Sequence, residues 1–441
     1  MNKIKQSVEY LKGPDLVVEV QKYFGVKYKP SVQKNNSDTE YDINRKQIEN
    51  QQKYTATKNI YEQSDNSQFN DVNLKCHKRN VSTESQSSQC VSTDDASTDS
   101  DIELNKPKYE ITNKFWYYLF RIGTELGDEI FYATFIPFWF WNIDGAVGRR
   151  VIFVWSVIMY IGQGLKDVIR WPRPGPPCIR LQEKWSQEYG MPSTHAMVGI
   201  AIPLSVLIFT AERYIYPLHL GGAVTLTWCL LISVSRLYLG MHSALDVIAG
   251  LFLALLLMIP LVPLADLLDG FLVTNPMSPL AVLLLSLLLI WKYPSADRWT
   301  PTRGDTTMTT SVYVGIVLGA WLNYQLGRMV IPSLPPPYTI IWPSWSMQGL
   351  TLLRTTLGLC CIMATRAICK SLSYALVCAL IRKDPHELRK SENSLQNRSK
   401  LIVELSYKYF TYGMIGFNTV FLLPHVFQLL GINRPTFYTE L

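Results

Sequence analysis

Charge is what this sequence has least of. Asp, Glu, Lys and Arg make up 17% of its 441 residues, where soluble domains carry about 25%. A chain of this length would ordinarily divide into soluble domains of about 150 residues, and so few charges argue against hydrated surfaces for them. Histidine is scarce as well, 6 in all, and none of the 8 cysteines stands at zinc-like spacing from one. Neither a metal site nor a disulfide framework is therefore expected. Cys360, Cys361, Cys369 and Cys378 share one apolar segment and Cys229 lies in another, where a cysteine serves as a small packing residue. Cys76 and Cys90 fall in polar sequence, and only Cys178 lies near the motifs described below. Dense basic stretches are missing too. The 42 basic and 35 acidic residues give +7, but the excess is scattered and often flanks apolar segments, which suits anionic lipid surfaces rather than nucleic acid. No fixed period repeats, and the opening residues are too polar for a signal peptide.

What is present is apolar sequence, 48% of the chain, concentrated beyond about Phe131. It falls into segments at 127–143, 150–168, 194–211, 218–236, 244–265, 279–292, 310–331, 350–381 and 404–431. A helix needs roughly 17–25 such residues to cross a hydrocarbon core about 30 Å thick, and lipid leaves no other open-ended spanning structure. The sequence thus predicts an all-α, polytopic transmembrane helical bundle of about nine spans. Arg366 and Lys370 imply that 350–381 ends early, kinks or faces the bundle interior. Asn113 to Leu126 (NKFWYYLFRIGTEL) is too charged for a span and reads as an interfacial helix. Residues 1–108 are polar, with runs such as VSTESQSSQCVSTDDASTDSDIE, and cannot bury enough apolar surface to offset the entropy of ordering. They are expected to form a mostly disordered tail. An amphipathic piece from Tyr10 to Tyr28 is the exception, resting on a membrane surface or on the body of the protein. The membrane domain is then 109–441, with its core at about 127–265.

Charges at membrane depth are costly and need a reason, and three clusters stand at the ends of predicted spans. The first is Lys166-Asp-Val-Ile-Arg-Trp-Pro-Arg173-Pro174, the second Met191-Pro192-Ser193-Thr194-His195, and the third Ser235-Arg236-Leu-Tyr-Leu-Gly-Met-His242-Ser-Ala-Leu-Asp246. Helix 150–168 delivers Lys166 and Arg173 to one membrane face, helix 194–211 starts there, helix 218–236 returns Arg236 to it, and helix 244–265 leaves from it. Alternation alone therefore puts all three clusters on one side.

Three cations, two imidazoles and a carboxylate suit a tetrahedral phosphate. Lys166, Arg173 and Arg236 can hold its oxygens, the arginines by bidentate forks. Pro192 and Ser193 precede a helix in the manner of an N-cap, leaving backbone N–H groups near Thr194 and His195 free for an anion. His242 and Asp246 are four apart, on one face if the helix already runs there, so the carboxylate would fix the ring tautomer for nucleophilic attack. His195 would protonate the leaving oxygen and then activate water. No metal or other cofactor is required.

The order and spacing of these motifs resemble the three-part signature of the type 2 phosphatidic acid phosphatase superfamily. In that family the third-motif histidine is the nucleophile, its aspartate orients it, the second-motif histidine is the acid/base, and the cations and the serine bind phosphate. The resemblance implies those roles for His242, Asp246, His195, and for Lys166, Arg173, Ser193 and Arg236. Thr194 stands where the broad family usually has Gly. The strings around it, Glu188-Tyr-Gly-Met-Pro-Ser-Thr-His-Ala-Met197, Gly123-Thr-Glu-Leu-Gly127, Gly148-Arg-Arg150 and Pro385-His386-Glu387-Leu388-Arg389, resemble the sphingosine-1-phosphate phosphatase branch. That branch implies hydrolysis of long-chain sphingoid base 1-phosphates in a multi-pass endoplasmic reticulum protein with a lumenal site.

Two other functions fit the residues. One is a relative acting on a different lipid phosphate or diphosphate, such as dolichyl diphosphate or phosphatidate. The other is an anion or lipid transporter lined by the same charges, against which stands the lack of an internal repeat. Protein partners are not indicated. Two spans before the first motif leave the tail on the catalytic side together with the basic stretch Arg382 to Lys400, which the positive-inside rule would make cytosolic. The resemblance implies the opposite face. Arg170 and Arg180 lie near the motifs as possible head-group contacts, and Arg303-Gly304-Asp305 matches an adhesion tripeptide by chance.

Overall fold

A computed structural model describes residues 2–28, 109–182, 184–294, 300–330, 332, 334–384, 388 and 398–440. Residues 1–27 and 111–441 form one compact unit. Of the second unit, 28–110, only Tyr28, Tyr109 and Glu110 are described. The disorder expected for the rest of the tail, Cys76, Cys90 and the string 385–387 lie outside the described residues.

Among the described residues the unit is built from helices: α1 (Asn2–Lys12), α2 (Asp15–Tyr23), α3 (Lys114–Glu125), α4 (Glu129–Asn142), α5 (Gly145–Ile169), α6 (Thr194–Ala211), α7 (Leu218–Tyr238), α8 (Ala244–Thr274), α9 (Ser278–Trp291), α10 (Thr302–Gln325), α11 (Trp345–Ile381), α12 (Arg398–Phe417) and, after a π-helical turn at Asn418–Leu422, α13 (Leu423–Leu429). Several of them start where a side chain accepts from an orphan amide. Asp128 caps α4, Asp144 caps α5 and Ser243 caps α8. Two-residue strands, Tyr214–Ile215 and Tyr338–Thr339, pair in parallel.

Each of the nine apolar segments is a helix, but the count of about nine spans is not confirmed. Among the described residues, six helices are long and apolar enough to cross a membrane: α5, α6, α7, α8, α11 and the run from α12 through α13. α4 and α9 have 14 residues each, about 21 Å of helix against about 30 Å of hydrocarbon. α10 has 24 residues but opens on Arg303 and Asp305. The tripeptide 303–305 is thus the first turn of a helix, with Arg303 donating to the Ile290 carbonyl.

The lipid-facing and core-facing sides separate cleanly along α8. Phe252, Ile259 and Leu267 are exposed, while Gly250, Ala254, Met258, Leu261 and Ala265 are buried at spacings of three and four. The buried side meets α5 and α6 around Val151, Val154, Ile158, Met197 and Ile202. Arg366 and Lys370 fall within the single helix α11, which neither ends early nor is interrupted there.

Successive helices from α4 onward alternate direction between two ends. At one end Asp144 accepts from Arg213 Nε at 2.9 Å and from Tyr214 at 2.7 Å, Arg149 forms a forked pair with Asp269 at 2.7 and 3.0 Å, and Glu440 accepts from the Gly145 amide at 2.5 Å and pairs with Arg434. At the other end lie the connections that carry the three motifs. The amphipathic piece packs on this second end, and its helical part begins at Asn2, earlier than the sequence suggested. The buried Gln21 amide donates to the carbonyls of Ile179 (2.6 Å) and Tyr238 (3.0 Å) and accepts from the Ile179 amide (3.2 Å). Phe24 adds edge contacts to Trp116, Phe120 and Tyr238. α3, a helix of 12 residues, lies beside α7 with Phe115, Tyr118 and Ile122 exposed.

Candidate active site

Four helix ends converge on the motif end of the bundle. The C-terminal turn of α5 supplies Lys166, the first turn of α6 supplies Thr194 and His195, the last turn of α7 supplies Arg236, and the first turn of α8 supplies Asp246. Arg173, Ser193 and His242 come from the connections between them. Lys166, Ser193, Arg236, His242 and Asp246 are each 0% exposed, and Arg173 and Thr194 are nearly so. His195 is half-buried, 6.4 Å from the Trp185 ring.

Close backbone approach joins the second and third motifs. The Ser193 amide donates to the Asp246 carbonyl at 3.1 Å. This contact requires Gly250, since a Cβ there would stand 2.7 Å from the Ser193 carbonyl oxygen. Ser193 is the N-cap of α6, yet its side chain makes no cap hydrogen bond, and its buried Oγ has no partner.

Arg173 reaches across to the third motif. Its Nη1 donates to the Met241 carbonyl at 2.7 Å and lies 3.2 Å from His242 Nε2. A guanidinium only donates, so Nε2 offers its lone pair and the ring proton belongs on Nδ1. Burial, and then the cations Arg173, Arg236 and Lys166, hold the His242 pKa well below the ordinary imidazole value, which keeps the ring neutral. Nδ1 faces Asp246 Oδ2 at 3.8 Å, too far for a hydrogen bond. The spacing of four does not act through a shared helical face, because α8 begins only at Ala244. A capping box places the carboxylate instead: Asp246 Oδ2 accepts from the Ser243 amide at 2.8 Å and the Asp246 amide donates to Ser243 Oγ at 3.2 Å. Asp246 Oδ1 and His242 Nδ1 are both left without partners.

Lys166 donates to Glu188 Oε2 at 2.5 Å and to Thr194 Oγ1 at 2.9 Å. Arg236 Nη1 donates to Thr124 Oγ1 at 2.5 Å and to Gln182 Oε1 at 3.1 Å, while its Nε and Nη2 are buried without partners. The unpartnered atoms form a coherent set of donors from Ser193 and Arg236 beside a neutral imidazole, in which a tetrahedral anion would supply the missing acceptors. Cys178 stands apart from this chemistry, its thiol pushed up to about 11 by burial.

A family model described as the PAP2 superfamily matches residues 148–266, which include all eight of these site residues. The chain is 42% identical over 332 residues to sphingosine-1-phosphate phosphatase 1 of Mus musculus, covering 74% of this chain and 74% of that protein. It is 36% identical over 333 residues to sphingosine-1-phosphate phosphatase 2 of the same species, covering 75% and 92%. The chain belongs to the sphingosine-1-phosphate phosphatase branch of the PAP2 superfamily. A more distant relative, the probable sphingosine-1-phosphate phosphatase of Dictyostelium discoideum, is 24% identical over 347 residues. No solved structure matches.

Beyond the signature of this phosphatase family, the site uses residues that the motifs do not announce. Thr124 and Gln182 hold Arg236, and Glu188 meets Lys166 and, through its backbone carbonyl at 2.9 Å, Arg173 Nε. Thr124 and Glu188 stand in strings that resemble the branch, but nothing in their spacing shows what they touch. Arg180 donates to the Pro174 carbonyl and Arg170 to the Asp167 carbonyl, so both brace the 170–190 connection.

Proposed function

We propose that the protein is an integral membrane phosphatase that hydrolyses sphingosine 1-phosphate and related long-chain base 1-phosphates to the free sphingoid base and phosphate. The observation that carries this reading is the set of buried, unpartnered donors on Ser193 and Arg236 at the motif end of the bundle, where Arg173 also meets the buried His242. The relatives, sphingosine-1-phosphate phosphatases 1 and 2, carry the lipid in their names.

In this mechanism Lys166, Arg173, Arg236, Ser193 and the amides at Thr194 and His195 hold the phosphate oxygens. His242 Nε2 attacks phosphorus, forming an N–P bond as the P–O bond to the lipid carbon breaks. His195 gives its proton to the departing alkoxide, then takes one from a water that attacks phosphorus, breaking the N–P bond and releasing phosphate. Asp246 supports the charge that builds on His242. Three fixed cations supply the electrostatic stabilisation, so the chemistry proceeds without metal. We place the protein in the endoplasmic reticulum with the site facing the lumen, following the family resemblance. α12 packs on the first turn of α10, with Lys408 beside Asp305, and Thr302 of that turn donates to Asp167 next to Lys166. Protection from added protease in sealed microsomes of a cleavage site placed at Arg398, the start of α12, tests that face, and cleavage there would put the site in the cytosol.

The decisive experiment is a substrate panel on the full-length protein purified in detergent: sphingosine 1-phosphate, phosphatidate, ceramide 1-phosphate and dolichyl diphosphate. Sphingosine 1-phosphate is expected to turn over fastest, in excess EDTA as well as without it. His242→Ala is expected to lose both turnover and the acid-labile phosphoenzyme. Normal turnover by His242→Ala, or loss of activity on chelation, would refute the mechanism.

A further inference from the structure

Glu188 is the residue of the site that the chemistry above does not use. It lies in the connection between α5 and α6, 4% exposed, and its carboxylate touches the cations that are to hold phosphate. Oε2 is 2.5 Å from Lys166 Nζ and 3.8 Å from Arg173 Nη2. An oxygen bridging an ammonium and a guanidinium in this way takes the position that a phosphate oxygen would take. Lys166, Arg173 and Arg236 bring three positive charges; Asp246 spends its charge on the Ser243 amide, and Glu188 supplies the other negative one. Counted against both carboxylates the three cations leave a surplus of about one charge, and against Asp246 alone about two, the charge of a phosphate monoester dianion, so Glu188 and such a dianion would answer the same cations.

We propose that Glu188 is a built-in counter-anion of the cradle, a positioning residue that keeps Lys166 and Arg173 in place between turnovers and competes with phosphate for them. Competition of this kind matters most at the end of the cycle. Inorganic phosphate makes the same contacts as the substrate head group without the lipid to carry it away, and three buried, uncompensated cations would retain it. Glu188 stands in a connection and not in a helix, so its side chain can yield to an incoming dianion and return as the product leaves.

The inference rests on the phosphate cradle read above, and the test separates the two. Inorganic phosphate binding is measured by calorimetry on full-length wild type, Glu188→Gln and Glu188→Asp in detergent, beside steady-state hydrolysis of sphingosine 1-phosphate. Glu188→Gln keeps the shape and an acceptor for Lys166 but removes the charge, and is expected to bind phosphate about tenfold more tightly or better. Its kcat and KM are expected to fall together as release becomes limiting. Glu188→Asp draws the carboxylate back by one methylene and is expected to shift phosphate affinity the same way by less. A folded variant that binds phosphate no more tightly than wild type overturns the role of Glu188, as does failure of both variants to fold, which would make the residue structural. A wild type that neither binds phosphate nor hydrolyses the lipid overturns the cradle itself.

Discussion

Gly250→Ala tests whether the site depends on the seam between α6 and α8, since residue 250 touches no expected substrate group. A Cβ at 250 would lie 2.7 Å from the Ser193 carbonyl oxygen, 3.3 Å from its amide nitrogen and 3.4 Å from Met197 Cγ. An ordinary carbon–oxygen contact is about 3.3 Å or longer, so α6 and α8 must separate by about 0.6 Å. The atoms that move are Ser193, Thr194 and His195 against His242 and Asp246. A misplacement of 1 Å costs about a hundredfold in rate, so about a tenfold fall in kcat/KM is expected. Stability should change far less, because the overpacking cost of about 1–3 kcal/mol is partly offset by about 1 kcal/mol from replacing a helical glycine. The assay is sphingosine 1-phosphate hydrolysis in detergent beside a thermal unfolding curve. Gly222→Ala on α7, where a Cβ would meet nothing within 4 Å, is the control and should keep full activity. Wild-type kcat/KM in Gly250→Ala, or a loss wholly accounted for by unfolded protein, would refute the reasoning.

Two further predictions concern parts distant from the chemistry. Gln21→Ala removes the side chain that clamps Ile179 to Tyr238 and leaves the buried Ile179 amide and carbonyl unsatisfied, at about 1–3 kcal/mol for each group; faster hydrogen exchange in 174–190 and a several-fold fall in kcat/KM are expected, and unchanged exchange would count against the clamp. At the opposite end, burial pushes the Asp144 carboxyl up, but Arg213, the Val147 amide and Tyr214 outweigh it and hold its pKa below the ordinary value. A lowered folded pKa stabilises the protein above the unfolded value of about 3.9 and loses that contribution as pH falls through the folded value. Asp144→Asn should therefore cost about 3–5 kcal/mol near neutral pH and flatten the acid limb of the thermal midpoint against pH; an acid limb as steep as that of wild type would refute the assignment.

The helices were legible because lipid removes the alternatives: an apolar run of sufficient length has one way to satisfy its backbone. Their exact lengths were not. α8 runs to Thr274, past Pro260 and Pro263 and past the expected stop at 265, because Asp266 and Asp269 are taken up by Arg150 at 3.0 Å and Arg149 at 2.7 Å. Nothing local to 266–274 reveals partners more than a hundred residues away. The three motifs were legible as a site because alternation forces them to one end. Their contacts were less so: His242 and Asp246 suggested a helical face, and a capping box at Ser243 holds the carboxylate instead. Gln21 lies in the amphipathic piece expected to rest on a membrane or on the body, but that pattern marks only apolar positions and not a polar side chain buried beside Val17.

Scarcity of charge pointed to the motif end alone, yet buried charge lies at both ends of the bundle, and the pairing tells the two ends apart. At the Asp144 end, Arg149 has Asp269, Arg213 has Asp144 and Arg434 has Glu440, each cation facing its own carboxylate. Those pairs close across 120, 69 and 6 residues, and each gives its cation a carboxylate that the fold already contains. Such an arrangement fixes helix positions and leaves little for a ligand to gain. At the motif end, Lys166 and Arg173 share Glu188, Arg236 donates to the neutral Thr124 and Gln182, and Asp246 is turned to the Ser243 amide. Burying that surplus costs stability unless an anion arrives, and the unpartnered Nε and Nη2 of Arg236 mark where the deficit lies. The proposed phosphate site is thus distinguished from a structural ion network by what the protein declines to neutralise, a property of the folded chain that residue types and spacing do not contain.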